Sequence, residues 1–232
     1  MTQLSYQNRR GEIATYFDNT ALEAWKKLTS DAPVSRIRAT VRAGRQQTQE
    51  TLLSWLPDDL TGSKILDAGC GTGMLALELA RRGAEVVAVD LSPRLVQMAR
   101  QRVQESEPEL AANIHFDSGD MLAERGSFDY VVAMDSLIHY ELPDMLEALE
   151  ALVSRTGERV LFTFAPRTPA LALMHRCGKL FPKKDRSPAI VPVAKKRLHH
   201  ELSARMSPWQ PGRDHLVDSG FYKSHVQELK RG

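Results

Sequence analysis

Ile65-Leu66-Asp67-Ala68-Gly69-Cys70-Gly71-Thr72-Gly73-Met74 reads as a short buried strand, entered through Lys64, that runs into a tight glycine turn. Leu75 to Arg82 then reads as a helix, with Leu75, Ala76, Leu79 and Ala80 on one stripe. Strand, glycine turn and helix together bring bare backbone against a nucleotide-like ligand. Glycine is required there because a Cβ would collide with the ligand or bar a positive φ. The unit alone leaves three readings open: a dinucleotide, a cationic nucleoside, or a structural turn with no ligand.

The spacing and one acid favour the second. A dinucleotide fingerprint places its third glycine where Met74 stands. Asp67, at the strand end, would repel a diphosphate and attract an ammonium-sulfonium ligand. The pattern resembles motif I of class I S-adenosylmethionine-dependent methyltransferases. About 20 residues on, Glu85 to Asp90 reads as a second parallel strand ending in an acid placed to meet ribose hydroxyls. Its valines do not alternate with polar residues, as suits a strand covered on both faces. Ser92 caps the next helix, with Pro93 at its first position. Ile114 to Met121 reads as a third strand and loop, and Phe128 to Asp135 as a fourth strand. The resemblance carries cofactor binding onto Asp67, Gly69, Cys70 and Gly71, onto Asp90 with Leu91, and onto Asp135. It sets Asp120 at the adenine amino group and Met121 over the ring.

Length and composition fit one α/β domain with appendages. The chain has 232 residues, 42% of them hydrophobic. Two cysteines, Cys70 and Cys177, give no disulfide framework. No apolar run approaches the ~20 residues of a membrane span, and no secretory leader is read at the start, so a cytoplasmic place is expected. A formal net charge of +2 hides an asymmetry. Residues 51–166 carry 9 Lys/Arg against 19 Asp/Glu, whereas residues 167–232 carry 14 against 5. A basic outer part over an acidic core would face an acidic substrate, an anionic lipid or a nucleic acid, or merely solvent. Nucleic acid is disfavoured, because Asp135-Ser136-Leu137-Ile138 stands where base-amino methylases carry Asn/Asp-Pro-Pro-aromatic.

Elsewhere the chain reads as follows. Met1 to Gly11 is polar and frayed; Glu12 to Thr29 is helical, broken near Asp18-Asn19-Thr20; Val34 to Leu56 is a helix with Arg36, Arg38, Arg42 and Arg45 on a basic face. Pro143 to Val153 is a helix leading to a fifth strand, Arg159 to Ala165. Pro166 to Pro192 interleaves apolar and basic residues between prolines, as a lid over a flat hydrophobic anion or a membrane-surface element would. Lys195 to Arg205 is helical, and His199-His200-Glu201 within it lacks metal spacing and reads as solvated. Gly220 to Leu229 is the last, antiparallel strand. The expected fold is a Rossmann-like class I methyltransferase: a seven-stranded, mostly parallel sheet with helices on both faces, an N-terminal helical lid and a lid inserted after the fifth strand. The expected divisions are 1–56 for the N-terminal arm, 57–166 for the core, 167–205 for the inserted lid and 206–232 for the closing strands.

Most of the chain, roughly residues 10 to 230, resembles the magnesium-protoporphyrin IX methyltransferase family of chlorophyll and bacteriochlorophyll synthesis. The resemblance rests on Tyr16-Phe17 before Trp25, on Asp135-Ser136-Leu137-Ile138-His139-Tyr140, on Thr163-Phe164-Ala165-Pro166, and above all on Gly178 to Ile190 with its Leu-Phe-Pro-Lys-Lys-Asp-Arg-Ser-Pro-Ala-Ile run. It implies methyl transfer from S-adenosylmethionine to one propionate of magnesium-protoporphyrin IX. His139 and Tyr16 would then be catalytic, with Tyr140, Phe17, Arg176, Lys183 and Lys184 binding substrate and no protein-held metal. It further implies a peripheral contact with the inner face of a membrane and porphyrin received from the large subunit of magnesium chelatase. Two rivals stay open: a methyltransferase acting on a quinone precursor, where a phenol needs a stronger base, and a non-catalytic tetrapyrrole-binding scaffold.

Overall fold

The computed structural model describes residues 3–19, 35–167 and 190–232. One sheet carries the molecule. Its strands are β1 (Lys64–Ala68), β2 (Glu85–Asp90), β3 (Ile114–Ser118), β4 (Phe128–Ala133), β5 (Thr156–Phe164), β6 (Trp209–Ser219) and β7 (Tyr222–Arg231). They lie side by side in the order β3-β2-β1-β4-β5-β7-β6. The first five are mutually parallel, and β7 runs antiparallel to both β5 and β6.

The valine-rich runs are explained by two cores. Along each strand successive side chains point to opposite faces, and both faces are covered here. Leu66, Val87, Val131, Phe162 and Leu229 enter one core, with α5 (Leu142–Val153) and α6 (Lys195–Arg205) packed over them. Ile65, Val86, Val132, Leu161 and Val226 enter the other. That second face is covered by α2 (Arg36–Ser54), α3 (Met74–Arg81) and α4 (Pro93–Ser106). A strand buried on both sides has no polar alternation to show.

The helix ends follow local chemistry. Ser92 caps α4, its Oγ accepting from the Leu95 amide at 3.2 Å, with Pro93 at the first helical position. Ser35 caps α2 in the same way, accepting from the Arg38 amide. The N-terminus departs from the sequence reading. Instead of a frayed tail, α1 spans Gln3–Asn19. Its composition is polar, but Tyr6, Arg10, Ile13 and Phe17 recur at helical spacing on one face, and that face is turned to the protein. Its far end is pinned by Asp18, which accepts from the Ser92 hydroxyl at 2.9 Å and from the Arg94 amide at 3.2 Å. His199 is likewise not simply solvated: it is half-buried and its Nε2 lies 2.6 Å from Gln227 Oε1 on β7. Trp25, the second helical stretch before Val34, and the inserted tract with Arg176, Lys183 and Lys184 fall outside the described residues.

Candidate active site

The strand order reverses at β1, whose neighbours are β2 on one side and β4 on the other. Crossover connections then leave on opposite faces, and a crevice opens at the carboxyl ends of these strands. A cavity of about 550 Å³ lies there, lined from the ends of β1, β2 and β4, the loop after β3, and α1 and α2.

The glycine turn forms its floor. Amides of Gly69 and Cys70 donate to the Val89 carbonyl at 2.8 and 3.0 Å, and the Gly71 amide donates to Asp90 Oδ2 at 2.9 Å. The turn is thereby clipped to the end of β2. Gly69 takes φ +89° and Gly71 φ +53°, a region that L side chains rarely adopt. A Cβ on Gly69 would stand 2.4 Å from Ser136 Cβ, so glycine also permits the close approach of the loop after β4. A Cβ on Gly71 would meet nothing within 4 Å among protein atoms, because that face opens on the cavity.

Two acids meet this turn. Asp67 is buried, and neither carboxylate oxygen has a hydrogen-bond partner. Burial first, then the nearby Asp90, pushes its pKa up to about 7, with the Ala76 backbone amide pulling the other way. A carboxylate held under such conditions is completed by a cation. Asp90 is also raised by burial, against the amides of Ser92, Gly71 and Leu91 that hold its carboxylate. These features fit S-adenosylmethionine: a cradle free of side chains, an orphaned buried acid for the ammonium-sulfonium part, and an acid at the end of β2 for the ribose.

The sequence-predicted residues distribute unevenly. Cys70, Leu91, Met121, Phe17, His139 and Tyr140 all line the cavity with the residues above. The Cys70 thiol is pushed well up by burial and the neighbouring acids, so it is inert packing. His139 lies in a 3-10 turn, Leu137–His139, just after β4; its ring stands 5.9 Å edge-on from Phe17. Tyr140 is buried and stacks on Tyr6 at 4.9 Å. Asp120 lines the cavity, yet its carboxylate is engaged by α1: the Tyr6 hydroxyl donates to Oδ1 at 2.8 Å and Arg10 Nη1 to Oδ2 at 2.6 Å. Asp135 likewise lines the cavity but turns its carboxylate into the protein. Arg45 pairs with it, the Tyr222 hydroxyl lies 3.0 Å from both its oxygens, and Thr163 receives its amide at 2.8 Å. Tyr16 does not line the cavity; it packs edge-on against Phe17 at 5.3 Å.

Sequence reading assigned Tyr6, which lines the cavity, and Arg10, which pairs with Asp120, to a frayed tail. It set Arg42 and Arg45 on a basic helix face with no site role and did not single out Gln46 and Gln49, and these four residues of α2 line the cavity. The signal was present in the periodic stripe of α1, masked by polar residues between its members.

The topology, the glycine cradle and the acids at the ends of β1 and β2 define a class I S-adenosylmethionine-dependent methyltransferase. The family described as "Methyltransferase domain" matches residues 65–157, and that described as "Magnesium-protoporphyrin IX methyltransferase C-terminus" matches residues 133–231. A magnesium-protoporphyrin O-methyltransferase of Rhodobacter capsulatus is 49% identical over 227 residues, covering 97% of this chain and 98% of the relative. One of Synechocystis is 30% identical, covering 94% and 95%. The crystal structure of the Synechocystis PCC 6803 magnesium protoporphyrin IX methyltransferase with bound SAH superposes with TM-score 0.84 at 28% identity, covering 96% of this chain and 100% of that one. The chain belongs to the magnesium-protoporphyrin O-methyltransferase family.

Proposed function

We propose that this protein transfers a methyl group from S-adenosylmethionine to one propionate of magnesium-protoporphyrin IX, giving the monomethyl ester. The observation that carries the reading is full-length likeness to relatives of that name, together with a cavity whose cradle and orphaned Asp67 suit the cofactor. The glycine cradle, Asp67 and Asp90 would hold S-adenosylmethionine, which would supply its sulfonium methyl to a carboxylate oxygen, the S–CH3 bond breaking as the O–CH3 bond forms, with S-adenosylhomocysteine leaving and no proton transferred. A propionate, with a carboxyl pKa near ~4.3, arrives already ionised. The chain's task is therefore positioning and exclusion of water.

His139 is the group we assign to aim the carboxylate, from a turn fixed by the Tyr140 amide on the Leu137 carbonyl and by the Val191 amide on the Ile138 carbonyl. Phe17 and Tyr6 of α1 cover it and Tyr140. Tyr16, on the same helix, is a second candidate for closing on the substrate. Family resemblance alone supports delivery by the large subunit of magnesium chelatase. The positive excess over residues 167–232 supports a peripheral contact with an anionic membrane face; no described helix is long and apolar enough to cross a membrane.

The test is incubation with labelled S-adenosylmethionine and magnesium-protoporphyrin IX, with metal-free protoporphyrin and a quinol precursor alongside. Monomethyl ester from the magnesium porphyrin is expected, and ester-free mixtures would refute the substrate. In the same assay His139→Ala should lower kcat by roughly a hundredfold with cofactor affinity within about twofold. Undiminished turnover would remove His139 from the mechanism.

A further inference from the structure

The mechanism above leaves unused a buried polar group of the cavity. Ser136 lines the cavity, and its Oγ is buried with no hydrogen-bond partner among the described residues. A native hydroxyl is rarely left so, and the state is costly unless a ligand completes it. Ser136 holds the N-cap position of the 3-10 turn Leu137–His139, where a serine commonly accepts from a backbone amide, yet its side chain makes no such bond. Capping therefore does not explain the hydroxyl. Small size explains only the position: a Cβ on Gly69 would stand 2.4 Å from Ser136 Cβ, and alanine would fit there as well as serine.

The surroundings of Ser136 supply a reason. It touches Gly69 where the glycine cradle meets the loop after β4. With φ −93° and ψ −38° it continues the path of the turn, and side chains at i and i+3 of a 3-10 turn eclipse. Ser136 and His139 therefore share one side of the turn, and both line the cavity. The hydroxyl stands on the seam between the cofactor's cradle and the group assigned to aim the carboxylate.

We propose that Ser136 Oγ donates a hydrogen bond to the reacting carboxylate and gives it a second point of hold beside His139. The assignment rests on the methyl-transfer reading and names a further substrate contact within it. A carboxylate has two oxygens, so one accepts from Ser136 while the other attacks the methyl. A neutral hydroxyl orients the group without cancelling its charge, as a paired arginine or lysine would. Two contacts fix the carboxylate plane where one leaves it free to turn, and in-line displacement depends on that angle.

Full-length wild type, Ser136→Ala and Ser136→Cys are compared. Alanine deletes only the hydroxyl, and cysteine keeps a small side chain with a weak donor. Kinetics uses magnesium-protoporphyrin IX, calorimetry uses S-adenosylmethionine, and thermal melts report the fold. Ser136→Ala should lower kcat/KM for the porphyrin roughly tenfold or more, with Ser136→Cys between it and wild type. Cofactor affinity should stay within about twofold. Tm should be unchanged or higher, because no hydrogen bond within the protein is lost. A kinetic change below about twofold would overturn the proposal. So would a loss of cofactor affinity as large as the kinetic loss, which would assign the hydroxyl to the cofactor, or a fall in Tm accompanying it, which would assign the hydroxyl to the fold. Failure of the porphyrin reading shows separately, as wild type that makes no ester. Fluorescence titration with magnesium-protoporphyrin IX then decides: weaker binding to Ser136→Ala than to wild type sustains the contact, and equal or absent binding overturns it.

Discussion

At the residue scale, the proposed cofactor capture turns on Asp67. Burial and then Asp90 push its pKa up to about 7, so it is largely protonated at pH 6 and largely ionised at pH 8. A cationic ligand favours the ionised form, so binding lowers that pKa and releases a proton below neutrality. The sign follows: affinity for S-adenosylmethionine should rise by about tenfold between pH 6 and pH 8 and flatten beyond. Asp67→Asn should bind more weakly and lose this slope. Calorimetry across the pH range checks both; a wild-type affinity independent of pH would mean that Asp67 does not meet the cationic part of the ligand.

At the scale of the element, the turn that carries His139 is held from a distance. Two residues past β4 stands Asp135, whose φ of +54° makes it the positive-φ non-glycine residue among those described. Its carboxylate gathers Arg45 from α2, Thr163 from β5 and Tyr222 from β7. Gly44 is what lets α2 close on that network: a Cβ there would stand 2.3 Å from Tyr222 Cδ1 and 2.8 Å from Cγ. Gly44→Ala would gain about 1 kcal/mol of helix propensity. It would also force the Tyr222 ring aside, at an overpacking cost of about 1–3 kcal/mol plus its hydrogen bonds. A net destabilisation of about 1–2 kcal/mol is expected in denaturant melts, with kcat falling more than cofactor affinity. Wild-type kcat in a destabilised variant would detach the network from the His139 turn.

On the scale of the whole molecule, stability and chemistry are separable. The sheet buries Leu161 in one core and Phe162 and Phe164 in the other, and none of the three lines the cavity. Phe162→Ala should cost about 3–5 kcal/mol and lower Tm by about 10 °C or more. KM and kcat measured well below the transition should stay near wild type. A selective loss of activity without loss of Tm would show that the site depends on the core more than the contacts indicate.

The order of strand, glycine turn and acid was legible in the sequence because those constraints are local. A turn with positive φ needs Gly69 and Gly71, and the acid closing a parallel strand at Asp90 lies a fixed distance downstream. The run from Glu85 to Asp90 announced a strand buried on both faces. Tertiary structure decided what the carboxylates face. Asp120 and Asp135 sit where spacing placed them, but Tyr6, Arg10, Arg45 and Tyr222 claim their oxygens from up to 114 residues away. It also decided that a polar N-terminus is a helix, because Tyr6, Arg10, Ile13 and Phe17 gain their partners only once the sheet exists. Helix propensity and turn geometry are properties of neighbouring residues, whereas hydrogen-bond partners and burial belong to groups that folding brings together.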